Sequence, residues 1–507
     1  MNDKLNDAMK EIRDEFIADA GQSKQRRKGY WFSAAAAVLA LVILIAGIAG
    51  IYPPRSTQAS SGEDPTSPPT VQGTAPNVPN PSGIPSPGDL KLANLLACPT
   101  YPQMLARPNW DDYADYQEYR AMMEAFTENQ AAQYDQPDGY ADSLTSFFLE
   151  SIRQFLDPNA NSAYSPVNVY MALAMLAETT NGNSRQQILD VLGLDSIEAL
   201  RRQVNHMWNA HFADDGVTTL LLGSSMWLDE AYSFRQETID ILAKNYYASS
   251  FRGNLGTEDM NRQLRDWLNA HTGGLLQEQA ENVELDPSTV FALATTVYFA
   301  AGWGSEFSQE NTQDMVFHCD EYDLLTPFMR NTFREHTYYW ADNFSAISLP
   351  LSGENHMWLI LPDEGYTVAD ILESDDYLRL TMDPGSWLHQ STYKINLSLP
   401  KFDVVSETDL TTGLKAMGIT DVFNPIISDF SPLTDTPNLF VSSATHAARV
   451  TIDEEGVLAA AFTVFFFGTT AVQPQYQEID FTLDRPFLFV ISSRDDLPLF
   501  AGVVNEP

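Results

Sequence analysis

The segment from Asp453 to Gln475, near the C-terminus, most restricts how this chain can fold. It begins with acidic residues and a glycine and continues through small, β-branched and aromatic residues, DEEGVLAAAFTVFFFGTTAVQPQ. Between Gly456 and Val472 it contains no proline and no charged side chain, so it can form a strand. Alanine favours helix whereas Val, Thr and Phe favour strand, so propensity alone leaves its conformation open. An exposed apolar segment that favours strand promotes aggregation, so we expect this segment to have a function in the protein.

A second apolar run lies near the N-terminus. Residues 34–51 are eighteen consecutive residues without a polar or charged side chain, and Tyr30, Trp31 and Tyr52 flank them. This length, with aromatic residues at both ends, is sufficient to cross a bilayer, so we predict a transmembrane signal-anchor helix over residues 30–52. Small residues near the end of the run leave a cleaved signal peptide open as the alternative.

The charges around this run predict its orientation. The basic cluster KQRRK at residues 24–28 precedes it, whereas Arg55 is the only nearby basic residue on the other side. Basic residues favour the cytoplasmic side, so we predict a cytoplasmic tail over residues 1–29. Everything after the anchor is then extracellular, in a single-pass protein of the cell membrane, and release of the extracellular part is left open.

Two further segments precede the folded body. Residues 53–89 include ten prolines among 37 positions, a composition that cannot bury a core and is typical of an extended linker. At roughly 3 Å per residue the linker could hold a domain up to about 100 Å from the membrane. Residues 90–140 are acidic and rich in tyrosine, and they form an N-terminal extension without an assignable motif.

Composition and missing motifs exclude several function classes. With 29 basic and 68 acidic residues, the formal net charge of −39 disfavours nucleic-acid binding. Cys98 and Cys319 are the only cysteines, so the chain is not a disulfide scaffold, although these two could pair. The sequence contains no Gly-x-Ser-x-Gly elbow, no His-Glu-x-x-His, no phosphate loop and no clustered Cys/His ligands. We therefore predict no enzyme activity, no metal and no cofactor.

The folded body begins near residue 141. Apolar residues at helical spacing predict a helix over residues 144–155. Ser165 is a natural N-cap with Pro166 at the first helical position, and the helix that follows, Val167–Thr180, is apolar on all sides and should be buried. The continuous apolar run Thr289–Ala301 is typical of a strand that is buried on both faces.

Several of these segments, taken in order, resemble the serpin family of serine protease inhibitors. The TVFALATTVYFAAGW run ending at Trp303, the segment Arg485–Phe489 and the segment Leu499–Asn505 are similar to family signatures. The strongest resemblance is to the family's acid-acid-Gly-small-x-Ala-Ala-Ala hinge, formed here by Glu454, Glu455, Gly456, Val457, Leu458, Ala459, Ala460 and Ala461. The resemblance covers about residues 141–507.

The resemblance implies an α+β fold with three β-sheets, eight or nine helices and an exposed reactive centre loop. It also implies a monomeric, suicide-type inhibitor that needs no cofactor and whose cysteines are free thiols. A target protease attacks the loop, and the loop's N-terminal arm then inserts into the main sheet as a new strand. Few cysteines in an outer compartment suggest a bacterial cell.

The resemblance also implies where the loop is cut. Counting fourteen residues from Gly456, as family loops do, places the scissile bond at Thr470–Ala471, to within about two residues. A small β-branched residue there suits the shallow pocket of elastase-like proteases, which are the first expected partners. Phenylalanines at 465–467 would attract chymotrypsin-like or subtilisin-like enzymes, which are the second.

This sequence departs from the family in the region where the sheet opens. Ser165 matches the family residue, whereas Asn168, Thr295 and Ser398 stand where the family usually has other polar residues, and Trp303 completes the predicted sheet-opening region. A changed set of buried polar groups implies a rewired network, because such groups need partners. A non-inhibitory serpin, acting as a surface binding protein or a simple protease substrate, is therefore left open as the alternative function.

Overall fold

Two β-sheets with helices packed against them form the fold of this chain. The computed structural model describes residues 38–48, 94–102, 104–113, 115–137, 140–141, 143–272, 283–457 and 476–507. These residues all belong to one unit, which extends from Ala36 to Pro507. The reactive-loop residues 458–475 lie outside the described residues, as do the predicted cytoplasmic tail and linker.

The described residues contain ten α-helices and five short 3-10 helices. The α-helices are α1 (Tyr116–Tyr134), α2 (Leu144–Phe155), α3 (Pro166–Thr179), α4 (Gly182–Val191), α5 (Ile197–His211), α6 (Gln236–Asn245), α7 (Glu258–His271), α8 (Val368–Leu372), α9 (Asp376–Met382) and α10 (Leu410–Ala416). The 3-10 helices are Trp110–Asp112, Gln309–Asn311, Ser352–Glu354, Pro384–Ser386 and Asp421–Phe423.

Eighteen strands lie within the same residues. They are β1 (Val38–Ile48), β2 (Leu95–Ala97), β3 (Ser162–Tyr164), β4 (Ala213–Asp214), β5 (Thr218–Asp229), β6 (Ala248–Gly253), β7 (Thr289–Gly302), β8 (Gln313–His318), β9 (Asp323–Trp340), β10 (Phe344–Pro350), β11 (His356–Pro362), β12 (Gln390–Pro400), β13 (Phe402–Asp409), β14 (Leu439–Ile452), β15 (Gly456–Val457), β16 (Glu478–Thr482), β17 (Phe487–Ser492) and β18 (Pro498–Val504).

The first sheet has the strand order β13-β14-β1-β7-β5-β6-β2, with β15 beside β7 and β4 beside β5. Strand β7 confirms the predicted buried strand, since every residue from Thr289 to Ala301 is buried. Its neighbours β1 and β5 both run antiparallel to it. A strand flanked on both sides and covered on both faces favours apolar and β-branched residues, and this explains its composition.

The structure differs from the sequence prediction at residues 38–48. We predicted a transmembrane helix over 30–52, but these eleven residues are strand β1, hydrogen-bonded between β14 and β7. Val, Ile and Leu suit a buried strand as well as a membrane helix. Burial of their apolar surface is favourable in a protein core as well as in lipid, because the hydrophobic effect is non-directional. No helix among the described residues is long and apolar enough to span a membrane.

The second sheet has the order β16-β12-β9-β10-β11-β17-β18-β3, with β8 beside β9. We expected three sheets, whereas the described strands are joined into two. The eighteen-residue strand β9 is the reason, because it pairs with β8, β10 and β12 along its length and so links strands that shorter elements would leave apart.

Helix α3 confirms the predicted buried helix. Ser165 caps it by accepting a hydrogen bond from the backbone N–H of Asn168 at 3.3 Å, and Pro166 occupies the first turn. Every residue of α3 is buried, and the helix packs against β7, β1 and β18. It therefore lies beneath the central strands of the first sheet, where a capped apolar helix was predicted.

The N-terminal extension packs on the folded body. Strand β2 pairs with β6 at the edge of the first sheet, and α1 packs against α5. The side chain of Gln133 in α1 donates to the backbone carbonyl of Phe212 at 2.6 Å. Tyr101 stacks on Trp208 with a centroid distance of 5.2 Å. Part of residues 90–140 is therefore integral to the domain.

Candidate functional site

The turn between β14 and β15 is the described part of the predicted hinge. The backbone groups of Asp453 and Gly456 hydrogen-bond to each other at 3.3 and 3.4 Å and close this turn. Gly456 has φ of +120°, and a Cβ there would lie 2.7 Å from the backbone nitrogen of Trp303. The position therefore requires glycine, because the backbone is both in an unusual conformation and in close contact with β7.

Trp303 anchors the turn from the other side. Its indole Nε1 donates to the carbonyl oxygen of Asp453 at 2.8 Å, and its ring packs edge-on against Phe307. The residue is 4% exposed and follows directly after β7. The structure thus places Trp303, which was predicted to belong to the sheet-opening region, at the hinge.

Glu454 joins the hinge to the segment that follows β7 and to the residue that follows β12. Its carboxylate accepts from Lys401 Nζ at 2.5 Å and from Thr312 Oγ1 at 2.7 Å, and its backbone carbonyl accepts from the N–H of Phe307 at 3.2 Å. Burial alone would raise the pKa of Glu454, but the hydrogen bonds from Lys401 and Thr312 outweigh it, so that the pKa lies below its ordinary value. Glu454 is therefore a buried, ionised latch on the hinge.

The other two acids of the hinge have different environments. Burial is the main reason that the pKa of Asp453 is raised, although its carboxylate also accepts from the backbone N–H of Glu455 at 2.9 Å. The side chain of Glu455 is exposed. Of the three consecutive acids, only Glu454 makes an ion pair in the described residues.

A chain of polar groups connects α3 to the middle of the first sheet. The backbone N–H of Ser165 donates to Nε2 of His446 at 3.1 Å. The hydroxyl of Thr295 in β7 donates to the carbonyl oxygen of Asn168 at 3.4 Å. The structure therefore brings together three of the predicted sheet-opening residues, Ser165, Asn168 and Thr295, and adds His446.

His446 is buried and holds one tautomer. Because Nε2 accepts from Ser165, the proton of the neutral ring lies on Nδ1, which donates to the carbonyl oxygen of Leu41 in β1 at 3.1 Å. Burial lowers the pKa of His446 to about 4, against the smaller raising effect of the bond to Leu41. The ring is thus neutral at physiological pH and links α3, β14 and β1.

Ser398 does not belong to this cluster, and its assignment to the sheet-opening region is wrong. It lies in β12 of the second sheet, opposite Thr482 of β16 and Arg330 of β9. Ser398 was expected to supply a polar side chain to the cluster, whereas His446 supplies this side chain. The available signal was the position of His446 in the strand that leads into the hinge.

Asn168 carries unused hydrogen-bonding capacity below the sheet. Its side chain is fully buried, and neither its oxygen nor its nitrogen has a partner among the described residues. An unpaired buried amide has a free-energy cost of about 1–3 kcal/mol. The polar cluster is therefore only partly satisfied in this arrangement.

The remaining predicted site residues lie outside the described residues; they are Leu458, Ala459, Ala460, Ala461, Thr470 and Ala471. Cys98 and Cys319 are both free thiols, the first exposed and the second partly buried. Across the part of the chain that is described, no three His, Cys, Asp or Glu residues come together as a metal site.

Comparison with known proteins agrees with this geometry. Relatives include alpha-1-antiproteinase 2 from Equus caballus, 29% identical over 68% of this chain and 82% of that protein. A leukocyte elastase inhibitor from the same species is 28% identical over 69% of this chain and 94% of that protein.

Solved structures show the same fold. The native thermophilic serpin tengpin has a TM-score of 0.63 and 23% identity, covering 74% of this chain and 95% of its own. Mouse protein-Z dependent protease inhibitor has a TM-score of 0.61 and 20% identity, covering 75% and 98%. The predicted α+β serpin fold is thereby confirmed. The family model described as Serpin (serine protease inhibitor) matches residues 142–507, and the chain therefore belongs to the serpin family.

Proposed function

We propose that this protein inhibits extracellular serine proteases, elastase-like enzymes first, as a suicide substrate. The observation that carries the proposal is the position of the hinge strand β15. Gly456 lies opposite Gly302 and Val457 opposite Ala301, so the described start of the loop's N-terminal arm is already paired with the C-terminal end of β7. An arm that continued this pairing would become a strand of the first sheet.

The chemistry of the first step belongs to the target protease. Its own serine attacks the Thr470–Ala471 carbonyl and forms an acyl-enzyme, releasing the amine of Ala471. The freed arm can then insert, pairing backbone N–H and C=O groups and burying alternate side chains. Because insertion is favourable but blocked while the loop is intact, the uncut state is a kinetic trap.

Thr470 is the basis of the proposed specificity. A short, uncharged, β-branched side chain fits a shallow apolar pocket and offers no charge to an acidic one. Cutting at Phe465–Phe467 would leave a shorter arm, so chymotrypsin-like or subtilisin-like enzymes are proposed as second partners that cut the loop more often than they are captured by it.

The proposed location follows from the N-terminal sequence. The apolar run within residues 30–52, when it enters a bilayer, would hold the inhibitor domain outside the cell by the proline-rich linker 53–89. The N-terminal tail then lies in the cytoplasm, in a cell of bacterial type. The target would be a protease met at the cell surface.

Incubation of the full chain, reconstituted into phosphatidylcholine nanodiscs, with pancreatic elastase tests the proposal. We expect a covalent complex that survives SDS, and mass spectrometry should place the new C-terminus at Thr470. Ala461→Glu is the matched control, because it puts a charge on the inserting arm without changing the cut site, and it should give cleavage without the complex. Rapid cleavage of the unsubstituted chain in nanodiscs with no complex would reject inhibition.

A non-inhibitory serpin is the second candidate function, and two observations favour it. The centre of the first sheet is filled by β1, and the Asn168 side chain below it has no hydrogen-bond partner among the residues that the structure describes. A protein that cannot insert its loop would act as a binding protein or a substrate. Heat distinguishes the two, because loop cleavage should raise the melting temperature markedly only where the arm inserts.

A further inference from the structure

Strand β1 occupies the place in the first sheet that the inserted loop would need. It lies between β14 and β7 and runs antiparallel to both. Val38 is opposite Val450 on one side and Phe299 on the other, and the pairing continues to Ile48, opposite Leu439 at the start of β14. Apart from a register irregularity near Ile45 on the β14 side and another near Ala46 on the β7 side, the gap between β14 and β7 is closed over its length.

The register of the hinge shows where the two strands conflict. Gly456 lies opposite Gly302 and Val457 opposite Ala301. In an antiparallel pair each further residue moves one position back along the partner, so residue 459 of the arm would lie opposite Phe299. Phe299 is already the partner of Val38. The arm therefore cannot advance beyond about residue 458 while β1 is in place.

The side chains of β1 fit both layers around the sheet. Val42 and Leu44 are at most 1% exposed and belong to the main hydrophobic core. Leu41 and Ile43, on the opposite face, are 4% exposed and pack in a second core that contains Trp267. Alternation between two buried faces is what a central strand requires, so β1 is integrated in the sheet rather than laid on its surface.

Two side chains of β14 bind the backbone of β1. His446 Nδ1 donates to the carbonyl oxygen of Leu41 at 3.1 Å, and the Ser442 hydroxyl donates to that of Ile45 at 3.1 Å. Both bonds reach carbonyl oxygens and therefore do not depend on the side chains of β1. The same two groups could bind another strand in this position.

We propose that residues 38–48 act as a plug strand, an intramolecular occupant that prevents the reactive loop from entering the sheet. This inference rests on the proposed function. The same residues form the apolar run that suits a bilayer, and one segment cannot be in both places. A chain whose segment enters the membrane has an open gap and inhibits, whereas a chain released from the membrane fills the gap itself and does not.

A designed disulfide tests the position of the plug strand in the full chain. Ile43 and Thr445 lie directly opposite each other, at a spacing that a disulfide can bridge, so Ile43→Cys and Thr445→Cys are combined with Cys98→Ser and Cys319→Ser. Glu407→Cys replaces the second position in the control, because β13 lies one strand further away. We expect rapid cross-linking in detergent-free buffer for the first pair only.

Reconstitution into phosphatidylcholine nanodiscs provides the second arm. There the Ile43–Thr445 pair should cross-link at least tenfold less, and the reduced protein should capture elastase. Equal cross-linking in buffer and nanodiscs, or none in buffer, would overturn the proposal, as would capture by the oxidised, cross-linked form. Cross-linking in buffer only, with no capture in any state, would support the plug strand and reject the inhibitory function on which its role rests.

Discussion

His446 and Leu41 are joined by a buried hydrogen bond of 3.1 Å, from the imidazole Nδ1 to the backbone carbonyl oxygen. The same ring accepts from the N–H of Ser165 at the start of α3. One side chain thus connects the strand before the hinge, the strand that fills the sheet and the helix beneath them. The stability of the filled sheet should depend on this ring.

Replacing His446 by leucine should lower the free energy of unfolding by about 1–3 kcal/mol, because the N–H of Ser165 loses its acceptor in a buried site. Urea denaturation of the full chain measures this. His318→Leu is the control, since the His318 side chain is exposed and, within the described part of the chain, pairs with the exposed Asp323. That change should stay within about 0.5 kcal/mol. Equal effects of the two substitutions would contradict a structural role for the His446 ring.

Acidification should destabilise the fold through buried histidines. Burial lowers the pKa of both His446 and His271 to about 4, whereas the unfolded value is about 6.5. Between these values the unfolded chain binds protons that the folded chain does not, so stability is lost as the pH falls from about 6.5 towards 4. From pH 7 to pH 5 the loss should be about 2 kcal/mol per histidine.

Urea titrations at pH 7 and pH 5 measure this dependence. His446→Leu removes one of these groups, and the pH-dependent loss should be smaller by about 2 kcal/mol in that variant. A loss that is unchanged by the substitution would show that His446 is not one of the titrating groups.

Glu454→Gln should weaken the hinge latch. The substitution keeps the shape but removes the charge that pairs with Lys401, which should lower the free energy of unfolding by about 1–3 kcal/mol. Glu455→Gln is the matched control, because the neighbouring side chain is exposed, and it should have little effect. In a double-mutant cycle, Lys401→Met should add little to Glu454→Gln. Additive effects of the two changes would refute the ion pair as the latch.

Gly456→Ala should lower the stability of the protein more than Gly365→Ala does, although both glycines have a positive φ. Gly456 has φ of +120°, and a Cβ added there would have three backbone atoms within 2.8 Å, whereas Gly365 has φ of +91° and nothing within 4 Å of the same position. Thermal unfolding should show a loss of about 1 kcal/mol for Gly365→Ala and about 1–3 kcal/mol more for Gly456→Ala. Equal losses would mean that the close contact with β7 is unimportant.

Thr470→Arg should move the specificity of the loop from elastase to trypsin. An arginine at the cut pairs with the acid of a trypsin-type pocket and does not fit a shallow apolar one. For the chain in nanodiscs, we expect the rate of complex formation to rise at least 100-fold with trypsin and to fall by a similar factor with elastase. Thr469→Arg serves as the control for an added charge beside the cut. A larger gain in trypsin capture from Thr469→Arg would place the scissile bond one residue earlier.

Local sequence patterns were sufficient to predict the start of helix α3 and the buried strand β7. The start of α3 was predicted from Ser165 and Pro166, and β7 was predicted from an uninterrupted apolar run that only a doubly covered strand can satisfy. The hinge is expected from its resemblance to the family's hinge sequence, and the structure assigns Glu454 its partner Lys401. Capping and φ preferences act within a few residues, so they can be predicted from the sequence.

Only the tertiary structure decided where residues 38–48 lie and which polar group completes the cluster under the sheet. The apolar side chains of β1 can be buried in lipid or in protein, and the sequence determines that they are buried but not by what. Likewise, His446 rather than Ser398 meets Ser165, because the two candidates belong to different sheets whose positions depend on contacts between residues far apart in the chain. The tendency of a residue to be buried depends on its own side chain. The place where it is buried depends on all the strands that can occupy the same position in the sheet.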